Sequence, residues 1–444
     1  MHFKWFGIWG IFTMTVALFG VSFSKGADAA EQPSKPVAPT RFVLRPDHNV
    51  IVFLGDSITQ QRIFTNLIEG FFLTRYPDKP FQFRNLGWNG DTLGLRQRGG
   101  IQAGIERDLA PLDPSLVLIL YGMNDAVYAE KNPQEFRKNV VQLNAAIRQL
   151  KALPYWVSPT AKEGNVEGIP GGSHHNAALK TLSEHLAKLG RKFYVDQFTP
   201  FLAAIEASRQ VEGVDGKSVA LTSDGVHPTP AGHLIMAWAI LKGLNEPGFV
   251  SVAELDASQL KTVRAEGCKI LWAESGAFGE GHIAFRRLDE ALPMPLPDAT
   301  QAALQIPGLT ILEDLSDYRL IVTGLEADKY QLKIDGESAG IFSRDEFEQG
   351  IDMNFVAGPT RQKVSQLWDA IQAKNTLFFE QWREVQTAQL PEWLPDSNEV
   401  ELARKRQVAI LEGELQVSEK RINQLRKPEA HLYELVPIDS GGRE

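Results

Sequence analysis

A chain of 444 residues exceeds one ordinary domain and predicts about two or three. Its 43% hydrophobic and 23% charged residues describe a globular protein with ample core material, and a formal charge of −9 without a basic run excludes a nucleic-acid-binding surface. Cys268 is the only cysteine, which excludes an intramolecular disulfide; no motif surrounds it, so it is expected to be a small packed hydrophobe.

Residues 1–29 read as an export signal, with His2 and Lys4 at a basic start, an almost uncharged run from Trp5 to Phe23, and Ala27-Asp28-Ala29 as a small-x-small cleavage site. An uncleaved membrane anchor is the other reading of that run. Residues 30–47, rich in proline, are expected to be a linker into a periplasmic or extracellular domain. Val50 to Leu54 is a continuous apolar run, the pattern of a strand buried on both faces of a parallel sheet. Gly55 then permits a sharp turn, with Ser57 at the N-terminus of a helix that carries Ile63, Leu67, Ile68, Phe71 and Phe72 on one side.

Strands are expected at Phe81–Leu86, Leu116–Tyr121, Tyr155–Val157 and Lys192–Val195, with helices near Arg98–Leu109 and His175–Leu189 between them. Pro133 opens a further helix with Phe136, Val140, Val141, Leu143, Ala146, Ile147 and Leu150 inward. This alternation predicts an α/β fold over 48–247, a five-stranded parallel sheet in three α/β/α layers, with a site beyond the strands' carboxyl ends. From 248 to 352 short strand-like runs follow at Lys269–Trp272, His282–Phe285, Leu309–Leu312, Tyr318–Val322 and Tyr330–Ile334, the last two reading as a hairpin. Residues 353–444 read as a helical tail. Val364, Leu367, Trp368 and Ile371 share one face there, and Val408, Leu411, Leu415, Ile422 and Leu425 form a seam expected to pack on the first domain, with dimerisation as the second reading.

Four blocks stand apart from this texture: Gly55-Asp56-Ser57, Asn85-Leu86-Gly87-Trp88-Asn89-Gly90-Asp91-Thr92, Tyr121-Gly122-Met123-Asn124-Asp125, and Ser223-Asp224-Gly225-Val226-His227-Pro228. In this order, and over about Val50 to Leu244, they resemble the SGNH, or GDSL, hydrolase superfamily. With its β-rich segment and helical tail the chain also resembles the large secreted bacterial members. The G-x-S-x-G elbow of other hydrolases is absent. The resemblance implies a flavodoxin-like hydrolase in which Ser57 is the nucleophile, His227 the base and Asp224, three residues earlier, its orienting group. It further implies an oxyanion hole made by the backbone N–H groups of Ser57 and Gly90 and the side-chain amide of Asn124.

Trp88, Arg96 and Arg98 flank the second block. Trp88 could stack a sugar and an arginine could hold a carboxylate or sulfate, against the alternative of a core tryptophan with solvated arginines. Asp56 and Asp125 are expected to hold loops. His174-His175 lacks a ligand partner at metal spacing, and His233 is expected to pack or cap. The expected protein is a serine esterase without metal or organic cofactor, acting on carboxylic esters and first among them O-acetyl groups on carbohydrate. Lysophospholipase, thioesterase or sugar O-acyltransferase activity, and a non-catalytic polysaccharide-binding role, are the other readings.

Overall fold

The computed structural model describes residues 48–129, 133–164, 172–189, 192–211, 218–272, 281–389 and 398–438; the expected export signal and linker lie outside the described residues. Among the described residues no helix is long and apolar enough to cross a membrane.

Strands β1 (Asn49–Gly55), β2 (Phe81–Gly87), β3 (Leu116–Leu120), β4 (Leu153–Val157) and β5 (Tyr194–Val195) form one parallel sheet in the order β2-β1-β3-β4-β5. Every residue of β1 is buried, as its unbroken apolar run requires when helices cover both faces. The chain leaves β1 toward β2 and returns across it to β3, so the strand order reverses beside β1. Such a reversal opens a crevice at the carboxyl ends of the strands.

The single helix expected after Gly55 is two. Ser57–Gln60 is a short turn, Arg62 takes the left-handed conformation at φ 65°, and the long helix runs from Ile63 to Arg75. The Thr59 carbonyl explains the break. It accepts from the Arg62 N–H at 3.0 Å and from Asn85 Nδ2 at 2.8 Å, where a continuous helix would take the N–H of residue 63. The long helix is also not one-sided. Thr65, Asn66, Glu69 and Thr74 are buried along with its apolar face, because the helix Pro359–Phe379 covers the other side. Val141, expected inward, is 68% exposed, since it lies one residue past buried Val140 on the solvent side of the helix Pro133–Gln149.

The β-rich part is two packed sheets. One holds β6 (Phe249–Asp256), β7 (Lys261–Glu266), β10 (Asp317–Thr323) and β13 (Ile351–Asp352) in the order β13-β10-β6-β7. The other holds β8 (Cys268–Trp272), β9 (Ile283–Asp289), β11 (Lys329–Ile334), β12 (Glu337–Ser343) and β14 (Ala430–Pro437) in the order β12-β11-β14-β9-β8. The expected hairpin of β10 with β11 does not form. β10 pairs parallel with β6, and after Gly324, at φ 71° against the Ser258 backbone, the chain crosses into the other sheet. The expected strand at Leu309–Leu312 is instead the start of a helical turn, Ile311–Leu315, with Glu313 and Asp314 in its first turn. Val250, Leu255, Phe285, Leu320, Leu332 and Leu435 fill the space between the sheets. Cys268 is part of this core, and burial pushes its thiol up to about 12.

The tail is helical only in part, since β14 returns to the accessory sheet. Its helices, Pro359–Phe379 with a π-helical turn at Glu380–Gln386, and Asn398–Leu425, lie on the α/β domain. Leu367, Ile371, Phe378, Trp382, Leu415 and Ile422 share one core with the parallel sheet. Beneath them Lys374 Nζ meets Glu69 at 2.7 Å and the Phe83 carbonyl at 3.1 Å, while Asn375 donates to Asn66 and Glu69, both at 2.7 Å. Arg75 donates to the carbonyls of Phe249 and Leu315, joining the α/β domain to the accessory one, and beside it Tyr76 donates to Glu246 at 2.6 Å.

Candidate active site

The first block turns where it does because Gly55 and Gly87 carry no side chain. A Cβ on Gly55 would sit 2.1 Å from Thr59 Oγ1, and one on Gly87 would sit 2.2 Å from the Gln60 nitrogen. The turn Ser57–Gln60 therefore lies directly on the ends of β1 and β2. Asp56 caps it, accepting from the Ile58 N–H at 3.0 Å, and leaves Ser57 partly exposed at the tip.

The fourth block is a tight loop closed by the Thr222–Pro228 bridge and by the Ser223 N–H donating to the His227 carbonyl at 2.8 Å. Glu163 holds it from behind, accepting from the Thr222 N–H at 2.9 Å and hydroxyl at 2.6 Å. Inside the loop Asp224 Oδ1 accepts from the N–H groups of Val226 at 2.9 Å and His227 at 2.7 Å. Asp224 Oδ2 lies 2.7 Å from His227 Nδ1, and His227 Nε2 lies 2.9 Å from Ser57 Oγ. Partial burial opposes the Asp224 charge, but donors from the His227 backbone, the His227 ring and the Val226 backbone outweigh it and lower the carboxyl to about 2. An ionised carboxylate only accepts, so Nδ1 carries the imidazole proton and Nε2 is free to accept from the serine hydroxyl. The structure thus brings Ser57, His227 and Asp224, 170 residues apart at the widest contact, into one hydrogen-bonded line.

The second block lies along the same edge. Trp88 N–H donates to the Gly55 carbonyl at 3.0 Å, Asn89 N–H to Gln60 Oε1 at 2.6 Å, and Asp91 N–H to the Trp88 carbonyl at 3.1 Å. Gly90, at φ 71°, is exposed at the crest of this turn. Asn124 Nδ2 gives one hydrogen to the Asp91 carbonyl at 2.8 Å and, among the described residues, keeps its second. Among the described residues, then, the two donors of the second and third blocks are tied to each other through Asp91.

Behind them lie three buried carboxyls. Asp91 is ion-paired with Arg98 Nε at 2.8 Å, whereas burial raises Asp56 and Asp125 each to about 7. For Asp56 the linkage sign is clear: between about pH 4 and 7 the folded state keeps a proton that the unfolded chain has lost, so stability falls as pH rises across that window. Asp56→Asn, which keeps the cap and cannot ionise, is expected to reduce that slope, leaving the part due to Asp125, read as denaturation midpoints at pH 4.5, 6 and 7.5. An unchanged slope would count against the protonated acid.

Trp88 and Arg98 are both buried. The Trp88 ring is buried, with the Arg383 guanidinium 3.8 Å from its centroid and Trp382 edge-on at 5.7 Å, so a sugar has no free face there. Arg98 is sealed between Asp91 and Asp108. Arg96 is exposed on the same loop, close enough for its charge to act on Asp125. His233 is a core residue: it stacks on Phe64 at 6.0 Å, contacts Gln61 Oε1 at 2.9 Å, and burial lowers it to about 3. The His174 side chain lies outside the described residues, and among those residues no group of three or more metal-ligating side chains occurs. Glu163, Gln60 and Trp382 were not legible as site residues, because each acts on a segment remote from it in sequence.

Residues 53–235 match the model of the GDSL-like Lipase/Acylhydrolase family. Among solved structures, BT4096, a gut microbial diltiazem-metabolizing enzyme, superposes with a TM-score of 0.71 at 22% identity, over 88% of this chain and 98% of its own. Axe2, an acetylxylan esterase from Geobacillus stearothermophilus, is 22% identical over 44% of this chain and 94% of its own, with a TM-score of 0.35. The acetyl xylan esterase AlAXEase is 18% identical over 44% of this chain and 98% of its own, with a TM-score of 0.35. No curated protein matches the sequence.

Proposed function

We propose that this chain, whose residues 53–235 match the model of the GDSL-like Lipase/Acylhydrolase family, is an exported serine esterase that removes O-acetyl groups from carbohydrate. The observation that carries the mechanism is the line from Asp224 through His227 to Ser57, with contacts of 2.7 and 2.9 Å. Ser57 Oγ attacks the ester carbonyl as His227 Nε2 takes its proton, and Asp224 stabilises the imidazolium. The N–H groups of Ser57 and Gly90 and the second hydrogen of Asn124 receive the developing oxyanion. Collapse expels the alcohol, which leaves with the proton from His227, and the acyl group stays on Ser57. Water, deprotonated by the same imidazole, then attacks the acyl-enzyme and releases the acid.

The acetyl-carbohydrate preference and the exported location rest on the family resemblance and on the basic, apolar and small-x-small features of residues 1–29. Acetate release from acetylated oligosaccharides, beside aryl esters of increasing acyl length and with Ser57→Ala as the blank, tests the proposal. Turnover is expected to be highest for acetyl and to fall steeply by butyryl. A maximum at long acyl chains would overturn the substrate class in favour of a lysophospholipase or thioesterase activity.

A further inference from the structure

The tail reaches the active site through Trp382. This residue stands in the π-helical turn Glu380–Gln386, a geometry frequent at functional positions. Its Nε1–H donates to Asp108 Oδ1 at 3.1 Å, and the other oxygen of Asp108 accepts from Arg98 Nη1 at 3.2 Å. Arg98 Nε donates to Asp91 at 2.8 Å, and the Asp91 carbonyl accepts from Asn124 Nδ2 at 2.8 Å. The same turn grips the other oxyanion segment. Trp382 packs edge-on against Trp88, Arg383 covers the Trp88 ring, and Trp88 is two residues before Gly90. Asp91, Arg98, Asp108 and Trp382 are all at most 3% exposed, so the links among them are desolvated hydrogen bonds, while the link to Asn124 is partly buried and Arg107 also donates to both oxygens of Asp108.

We propose that Trp382 is a positioning residue for ester hydrolysis, fixing the Asn124 amide and the Gly90 turn through Asp108, Arg98 and Asp91. The inference rests on the reading of Gly90 and Asn124 as oxyanion donors. The helical tail is then a working part of the active site as well as a cover for the α/β domain. Donors aimed at an oxyanion act through their fixed direction, and a buried chain of ion-paired hydrogen bonds keeps that direction through the catalytic cycle.

Trp382→Phe, in the full chain, keeps a six-membered aromatic ring and removes the N–H together with the five-membered half of the indole. It is expected to lower kcat on an aryl acetate about tenfold while KM is unchanged, a split that marks an interaction made in the transition state. Affinity for a trifluoromethyl ketone, which forms a tetrahedral adduct with the serine, is expected to fall in parallel. In an Asn124→Ala background the same substitution is expected to cost less than threefold, because the donor it aims is gone. Asp108→Asn carries the same expectations and serves where Trp382→Phe shows no cooperative melting. Wild-type kcat in the folded variants, or an equally large loss in the Asn124→Ala background, would overturn the proposal. Hydrolysis that persists in Ser57→Ala would overturn the catalytic reading itself, whereas a Ser57-dependent enzyme indifferent to Trp382 overturns this inference alone.

Discussion

Replacing Ser57 with alanine is expected to lower kcat on an aryl acetate by roughly a million-fold, and His227→Ala by about as much, because neither half of a nucleophile and base pair retains its function without the other. The double variant is expected to be no worse than either single one. Asp224→Asn is expected to be less severe, at about a thousand- to ten-thousand-fold, since the amide cannot stabilise the imidazolium and disturbs the tautomer that leaves Nε2 free. The amide oxygen of Asn can still accept from the Val226 and His227 N–H groups, so a crystal structure of the variant should accompany the kinetics to show that the loop is unchanged. Because Asp224 is lowered to about 2, the wild-type carboxylate stays charged across the working range. Single-turnover release of the aryl alcohol, counted per active site, measures all of these. A Ser57→Ala protein within a hundredfold of wild type would end the covalent mechanism.

Lys374→Ala is expected to destabilise the protein by about 3 to 5 kcal/mol, the usual cost of leaving one member of a buried ion pair alone. Glu69 and Lys374 are 3% and 1% exposed, and their 2.7 Å contact joins the tail to the helix behind the nucleophile. Burial lowers the Lys374 ammonium from its ordinary range, with Glu69 opposing that shift, so truncating the lysine leaves a buried carboxylate without its counter-charge, held by the neutral Asn375 amide. The double change Glu69→Leu with Lys374→Met is expected to recover most of the loss, since two apolar side chains of similar volume avoid desolvating charge. Urea midpoints for the three variants test this. A single substitution costing less than about 1 kcal/mol would show that solvent reaches the pair.

The four blocks of the candidate site stand out in the sequence because each is contiguous: a strand end, a glycine and a short turn carry Ser57, Gly90, Asn124 and the Asp224–His227 pair without reference to the remainder of the chain. The parallel sheet was legible for the same reason, its central strands being continuous apolar runs. What failed was everything set by distant partners. Nothing near Thr59 announces that Asn85 will take its carbonyl and split the first helix. Glu69 and Asn66 look like the solvent face of that helix until Lys374 and Asn375 arrive about 300 residues later, at separations of 305 and 309. Trp88 reads as a candidate sugar platform because the residue that covers it, Arg383, lies in the tail. In the accessory domain, alternating strands such as β10 and β11 reveal which residues point inward but not which sheet each strand joins, and the charged β7 carries little strand signal at all.

The place of β14 bears on how this protein is made. It lies between β9 and β11, antiparallel to both, yet those two strands are complete by Asp289 and Ile334, and β14 begins only at Ala430. During synthesis β9 and β11 therefore face outward as unpaired edges while the whole helical tail is translated, and the accessory sheet closes only when Ala430–Pro437 has left the ribosome. A chain clipped or stalled within the tail keeps its catalytic blocks but carries two open strand edges, the kind of surface that recruits other chains into aggregates.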